Sequence, residues 1–160
     1  MYEKFGEFDS FEEINKSAAG LKAEGDKESL LVLAKENGID DYMIDMFMDG
    51  DVDVICDLET AAIGKVEVES KDLKAEGIMY DWVDYVKGCI VKDNDMAVAV
   101  RKKSKSLRGC IAELLKTSYK NCKPVDKDVC KLAGVPSNCK LGMPGMSEAK
   151  KIIRHYYLGR

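Results

Sequence analysis

Apolar residues three and four apart recur along this chain in short runs, and most runs open on a capping residue and stop at a glycine or asparagine. Such punctuation restricts the chain to short helices, because a buried strand needs alternation instead. Ser10, with Glu13 three residues on, makes a capping box ahead of Phe11, Ile14, Ala18 and Leu21, and Gly25 closes this first helix. Asp26 caps a second helix carrying Leu30, Leu31, Leu33 and Ala34, which Asn37-Gly38 stops. Asp40 opens a third, methionine-rich turn that ends at Gly50. Linkers this short predict packing as hairpins.

From Val52 to about Lys74 the residues Val54, Ile55, Leu58, Ala62, Val66 and Leu73 keep helical spacing, although VEVE at 66–69 alternates like a strand; helix is predicted throughout. Ile78, Trp82, Tyr85, Val86, Cys89 and Ile90 form the next stripe, and residues 95–103 resume after an Asp93-Asn94 break. Residues 106–121 read as the clearest amphipathic helix, with Leu107, Cys110, Ile111, Leu114, Leu115 and Ser118 inward. Pro124 ends it, a short helix follows over 126–133, and the loop GVPSNCKLGMPGM is too rich in glycine and proline for regular structure. Ser147 is expected to cap a last helix with Ala149, Ile152, Ile153, Tyr156 and Tyr157 inward. The predicted fold class is all-α, an irregular multi-helix bundle of about six to eight short helices without an internal repeat.

A chain of 160 residues with three prolines can bury roughly two thirds of its unfolded surface without staples. No run approaches the roughly eighteen apolar residues that a membrane span needs, and the acidic start MYEKFGEFDSFEE lacks an apolar signal core. A cytoplasmic protein with no membrane partner is expected. Of six cysteines, Cys56, Cys89 and Cys110 sit inside apolar helical patterns, where thiols act as small hydrophobes, so free and mostly buried thiols are expected.

Charge is separated along the chain. Residues 1–98 hold 25 Asp and Glu against 10 Lys and Arg, net −15, and residues 99–160 hold 4 against 15, net +11. An acidic helical part (1–98) and a basic helical part (99–160) are expected, either as one compact domain or as two tightly packed subdomains. Such asymmetry points to polyelectrolyte partners, although two opposed halves can also attract each other. Arg101, Lys102, Lys103, Lys105 and Arg108 put five cations into eight residues. Lys116 and Lys120 extend them, and Lys150, Lys151 and Arg154 add a second basic face on the last helix. Aligned, these residues would neutralise about five phosphates of a nucleic acid, with a log-affinity against log-salt slope of roughly −3.5 to −4.5. Tyr119, Tyr156 and Tyr157 are near enough to stack on bases, yet tyrosines at core spacing commonly pack. In the acidic part Asp40, Asp41, Asp45, Asp49, Asp51, Asp53, Asp57 and Glu59 crowd one stretch. That surface either imitates a row of phosphates toward a basic protein groove or serves as a solvated face.

Familiar site chemistries fit poorly. Asp49, Asp51 and Asp53 resemble the start of a calcium loop, but Val54 stands where the turning glycine belongs and Thr60 replaces the closing glutamate. Cys122, Cys130, Cys139 and His155 lack zinc spacing, a lone histidine supports no triad, and GMPG lacks the Lys-Ser/Thr of a phosphate loop. Residues 128–135 look like the first helix and turn of a helix-turn-helix, but Pro136 and the glycine-proline loop replace the second helix. No catalytic residue, metal or cofactor is expected.

Three blocks, AEGIMYDWVDYVKG (75–88), KSLRGCIAELLK (105–116) and PGMSEAKKIIRHYYLG (144–159), together with the acidic helical start, resemble a group of small accessory proteins carried by phages and integrative elements of gut Firmicutes. The resemblance implies a binding role, best defined in that company as anti-CRISPR inhibition of a type II CRISPR-Cas effector nuclease, with guide RNA or DNA as a further partner of the basic part. A nucleic-acid-binding accessory protein of a mobile element is the alternative. Such inhibitors share no motif, so the resemblance transfers no functional residue.

Overall fold

A computed structural model describes residues 2–160, and helices dominate it: nine α-helices and one two-stranded antiparallel sheet among the described residues. The all-α expectation holds at this level, and the count exceeds six to eight because short segments keep their own caps instead of merging. The chain divides into two compact units, Met1–Arg108 and Gly109–Arg160. The division falls ten residues after the change in charge at residue 98.

In the first unit, α1 (Phe11–Ala23) starts at Ser10, whose hydroxyl accepts from the Glu13 amide at 3.3 Å. The Glu13 carboxylate closes the box on the Asp9 amide at 2.8 Å, one residue earlier than the usual reciprocal bond. Asp26 caps α2 (Lys27–Glu36) through the Ser29 amide at 2.9 Å, and α3 (Asp41–Asp49) stops at Gly50 with a left-handed φ of 86°. Ile14, Ala18, Leu30, Leu33, Ile44 and Phe47 from these three helices share one core with Ile55, Cys56 and Ala61.

The helix expected from Val52 begins only at Leu58, so α4 covers Leu58–Leu73 and takes in the strand-like VEVE. Residues 51–57 form a bent, non-helical loop because Asn15 replaces helical hydrogen bonding. Its Oδ1 accepts from the Ile55 and Cys56 amides at 3.0 and 3.2 Å, and its Nδ2 donates to the Cys56 carbonyl at 2.7 Å. Asp57 then caps α4 through the Thr60 amide at 2.8 Å, a bond that holds its carboxyl below the ordinary range. The chain continues as α5 (Ile78–Lys92) and α6 (Asn94–Arg101), separated by Asp93, whose carboxylate accepts from the Asp95 and Met96 amides. Helix α4 packs on both. The end of α2 meets α4 at two glycines: a Cβ on Gly64 would lie 2.2 Å from the Asn37 carbonyl oxygen, and one on Gly38 would lie 2.5 Å from that of Gly64.

The second unit takes up most of α7 (Leu107–Lys120), then β1 (Lys123–Pro124), α8 (Lys127–Ala133), β2 (Lys140–Leu141) and α9 (Met146–Leu158). The glycine-proline loop is not wholly irregular, since Lys123 pairs with Leu141 and Pro124 with Lys140. Gly142 permits this: its Cβ position is 2.1 Å from the Ser118 carbonyl oxygen, so the strand runs hard against the last turn of α7. Ser147 does not cap α9, which begins one residue before it with extended Gly145 as N-cap and no side-chain bond. Ile153 and Tyr157 are buried as expected, but Leu115 is 62 % exposed and leaves the inward stripe of α7. All six cysteines are free thiols, four of them buried, and burial raises Cys56 and Cys110 to about 12. Among the described residues no helix is long and apolar enough to cross a membrane.

Candidate interaction surfaces

The acidic face of the first unit is built by α3, the bent loop pinned by Asn15, and the first turn of α4. These carry Asp40, Asp41, Asp45, Asp49, Asp51, Asp53, Asp57 and Glu59, and all eight are exposed. No Lys or Arg occurs between Lys35 and Lys65. Two of the carboxylates have local work: Asp57 caps α4, and Asp45 pairs with Lys27 at 2.8 Å across an exposed surface. Within this face Tyr42 and Val54 are 68 % and 48 % exposed. Val54 was expected on the apolar stripe of a helix from Val52 and instead lies in the loop before that helix, which starts at Leu58; Tyr42 was assigned no role from the sequence.

The ten cations behave less uniformly. Arg101 is withdrawn from the basic patch: it is 1 % exposed, and its Nη2 donates to the Phe8 carbonyl at 2.8 Å and to Asn37 Oδ1 at 3.3 Å. A guanidinium in that position cannot meet a phosphate. Lys102 and Lys103 are exposed at the end of α6, and Lys105 is half-buried. Arg108 is exposed and pairs with Asp72 at 3.1 Å. In the second unit Lys116, Lys120, Lys150 and Lys151 are exposed and Arg154 is half-buried, and Lys116 pairs with Glu113 at 2.6 Å. The tyrosines divide: Tyr157 is buried edge-to-face with Tyr156, whereas Tyr119 is 88 % exposed. Lys123 and Lys140 are exposed on the paired strands; sequence reasoning placed Lys140 in an irregular loop and assigned Lys123 no role.

A buried ionic cluster inside the first unit was also not anticipated. Lys65 on α4 is 1 % exposed, and its ammonium donates to the carbonyls of Lys102 and Lys105 at 2.8 and 2.7 Å and pairs with Glu7 and, at 3.9 Å, with Glu69. Glu69 accepts from the Leu107 amide at 2.5 Å, and burial outweighs that bond and the Lys65 charge to raise its carboxyl. Glu36 holds the amino-terminal segment through the amides of Glu3, Lys4 and Phe5 at 2.8, 2.6 and 3.1 Å. Burial opposes ionisation of Glu36, but these three donors hold its carboxyl below the ordinary range. The cluster ties residues 3–9 to α2, α4 and the segment after α6, and so fixes the turn that presents Lys102 and Lys103.

Two clefts lie in the first unit, the larger of about 390 Å³ and lined by Glu3, Val32, Lys35, Glu36, Gly38, Val68 and Lys71. The other, of about 110 Å³, is lined by Glu69, Asp72, Leu73, Ser106 and Arg108. His155, the only histidine, is exposed on α9. Among the described residues no three His, Cys, Asp or Glu side chains are grouped to hold a metal ion. No family model matches the chain, and neither curated proteins nor solved structures provide a match.

Proposed function

We propose that this protein acts by binding: its first unit offers a phosphate-like acidic face to the basic nucleic-acid channel of a type II CRISPR effector nuclease in the host cytoplasm and so blocks DNA targeting. The observation that carries this reading is the exposure of all eight carboxylates over a stretch with no intervening cation. Nucleases of that kind hold the guide-target heteroduplex in a positively charged channel and read a short flanking motif through arginines. A folded row of carboxylates competes for the same arginines, and charge complementarity speeds the encounter. Tyr42 and Val54 supply what charge alone lacks, an aromatic and an aliphatic anchor that lose water on contact. The resemblance to mobile-element accessory proteins favours this class of target.

The second reading, a nucleic-acid-binding accessory protein, is favoured by the exposed lysines of α7 and α9. The two readings part in a cleavage assay with a panel of guide-loaded type II nucleases and rising amounts of protein. Near-stoichiometric loss of cleavage is expected, together with its abolition when Asp45, Asp49, Asp51 and Asp53 are all changed to Lys. Cleavage that persists across the whole panel overturns the inhibitor reading.

A further inference from the structure

We infer that the second unit carries a site for single-stranded nucleic acid, with Tyr119 as its stacking platform; this rests on reading that unit as nucleic-acid-binding and is independent of the acidic face. Tyr119 has the most exposed aromatic ring among the described residues, 88 % open on the last turn of α7, so packing does not explain it. Helical spacing places Lys116 one turn before Tyr119 and Lys120 next to it, with Leu115, 62 % exposed, four residues back. Lys123 follows as the first residue of β1 and is paired with Leu141, itself 67 % exposed, on one face of the ladder. An aromatic face flanked by cations and apolar side chains fits a base stacked on the ring with its phosphates led along the lysines.

A neighbouring cleft of about 530 Å³ supplies a second element. It is lined by Asn121, Lys123, Leu141, Gly142, Met143 and Glu148. The Asn121 amide donates to Glu148 at 3.3 Å, which leaves an amide and a carboxylate at the rim. Those groups match the donor and acceptor edges of a base, and the Glu148 charge would repel a phosphate placed there. Base in the cleft or on the ring, and backbone on the lysines, requires an unstacked base. A duplex keeps its bases stacked within the helix and offers none.

The test measures binding of the full chain to fluorescent oligo-dT, oligo-rU and a duplex of equal length, about twelve nucleotides, within the range one such site spans. Wild type is compared with Tyr119→Ala, Tyr119→Trp and the Lys120→Ala/Lys123→Ala pair. Tyr119→Ala is expected to weaken single-strand binding about tenfold or more and leave the weaker duplex binding unchanged. Tyr119→Trp is expected to restore it, with indole fluorescence quenched on binding, and the lysine pair to flatten the salt dependence. The tighter of the dT and rU arms identifies the strand as DNA or RNA. Equal affinity of wild type and Tyr119→Ala, or a duplex bound as tightly as a single strand, overturns the site while leaving a charge-driven nucleic-acid function in place. Absence of binding to all three probes overturns both.

Discussion

Arg101 separates a surface role from a core role more sharply than any other residue, and Arg101→Met tests it. Its guanidinium is 1 % exposed and satisfies the Phe8 carbonyl and the Asn37 side chain. Methionine fills a similar volume but leaves the acceptor on buried Asn37 and the partly buried Phe8 carbonyl unpaired, at about 1–3 kcal/mol each. It also removes a cation whose field favours the ionised form of buried Glu69. Against this, the substitution relieves the desolvation of a charge whose Nε and Nη1 have no hydrogen-bond partner among the described residues. The balance is a loss of about 2–4 kcal/mol, or about 8–16 °C in the melting of a unit this size. Trp82, the only tryptophan, is buried on α5 in the same unit, so its fluorescence follows the melting of that unit. Lys102→Ala/Lys103→Ala should melt within about 2 °C of wild type, because both lysines are exposed. An Arg101→Met protein that melts like wild type but loses affinity for nucleic acid would refute this account and return Arg101 to the basic patch.

Two further outcomes follow from the packing and from the buried carboxylates. Gly64→Ala drives a methyl to 2.2 Å from the Asn37 carbonyl oxygen, so thermal unfolding should show a loss of about 2 kcal/mol or more, whereas Gly20→Ala, which meets open space on α1, should gain about 0.5–1 kcal/mol; equal melting of the two variants contradicts the close approach of α2 and α4. Glu36 has a lowered carboxyl, so its contribution is present above its unfolded value and is lost as pH falls through its folded value, while that of Glu69, which is raised, is present below its unfolded value and is lost as pH rises. The melting temperatures of wild type and Glu36→Gln should therefore converge as pH drops from 6 toward 3, and a gap that stays constant across that range rules out Glu36 as the ionised clasp of residues 3–5.

The caps at Ser10 and Asp26 were legible because capping is local: the donor lies three residues from the acceptor. What sequence could not supply was the third dimension of charged residues. Lys65 and Glu69 stand four apart on a helix, a spacing equally suited to an exposed pair, and only the carbonyls of Lys102 and Lys105 and the Glu7 carboxylate make the interior position tenable. Arg101 lies in a run of cations whose density suggested surface, and only Phe8 and Asn37, 93 and 64 residues away in the chain, reveal its place. Leu115 and Tyr119 fail in the opposite sense, since an apolar period tells where a helix could bury residues but not how wide the covered stripe is. The β1–β2 pairing is likewise non-local and two residues long, below anything alternation can signal.

These buried groups also govern what charge the first unit shows to a partner. Through Arg108 it has 25 acids and 15 bases, net −10. The interior takes two cations, Lys65 and Arg101, and two carboxylates, Glu36 and Glu69, so burial leaves that excess on the surface. Several remaining cations are engaged locally, Lys27 with Asp45, Lys87 with Glu67 and Arg108 with Asp72, while Lys22 bonds the Phe47 carbonyl. The stretch between Lys35 and Lys65 therefore concentrates negative potential where Tyr42 and Val54 are exposed. Charge of this kind acts over roughly 8 Å at physiological salt and sets the rate of encounter, whereas the tyrosine and valine act only on contact and set the rate of release. A complex built on this face should lose association rate steeply with salt through the carboxylates and gain dissociation rate on removal of the Tyr42 ring, two effects that neither a purely electrostatic nor a purely apolar interface combines.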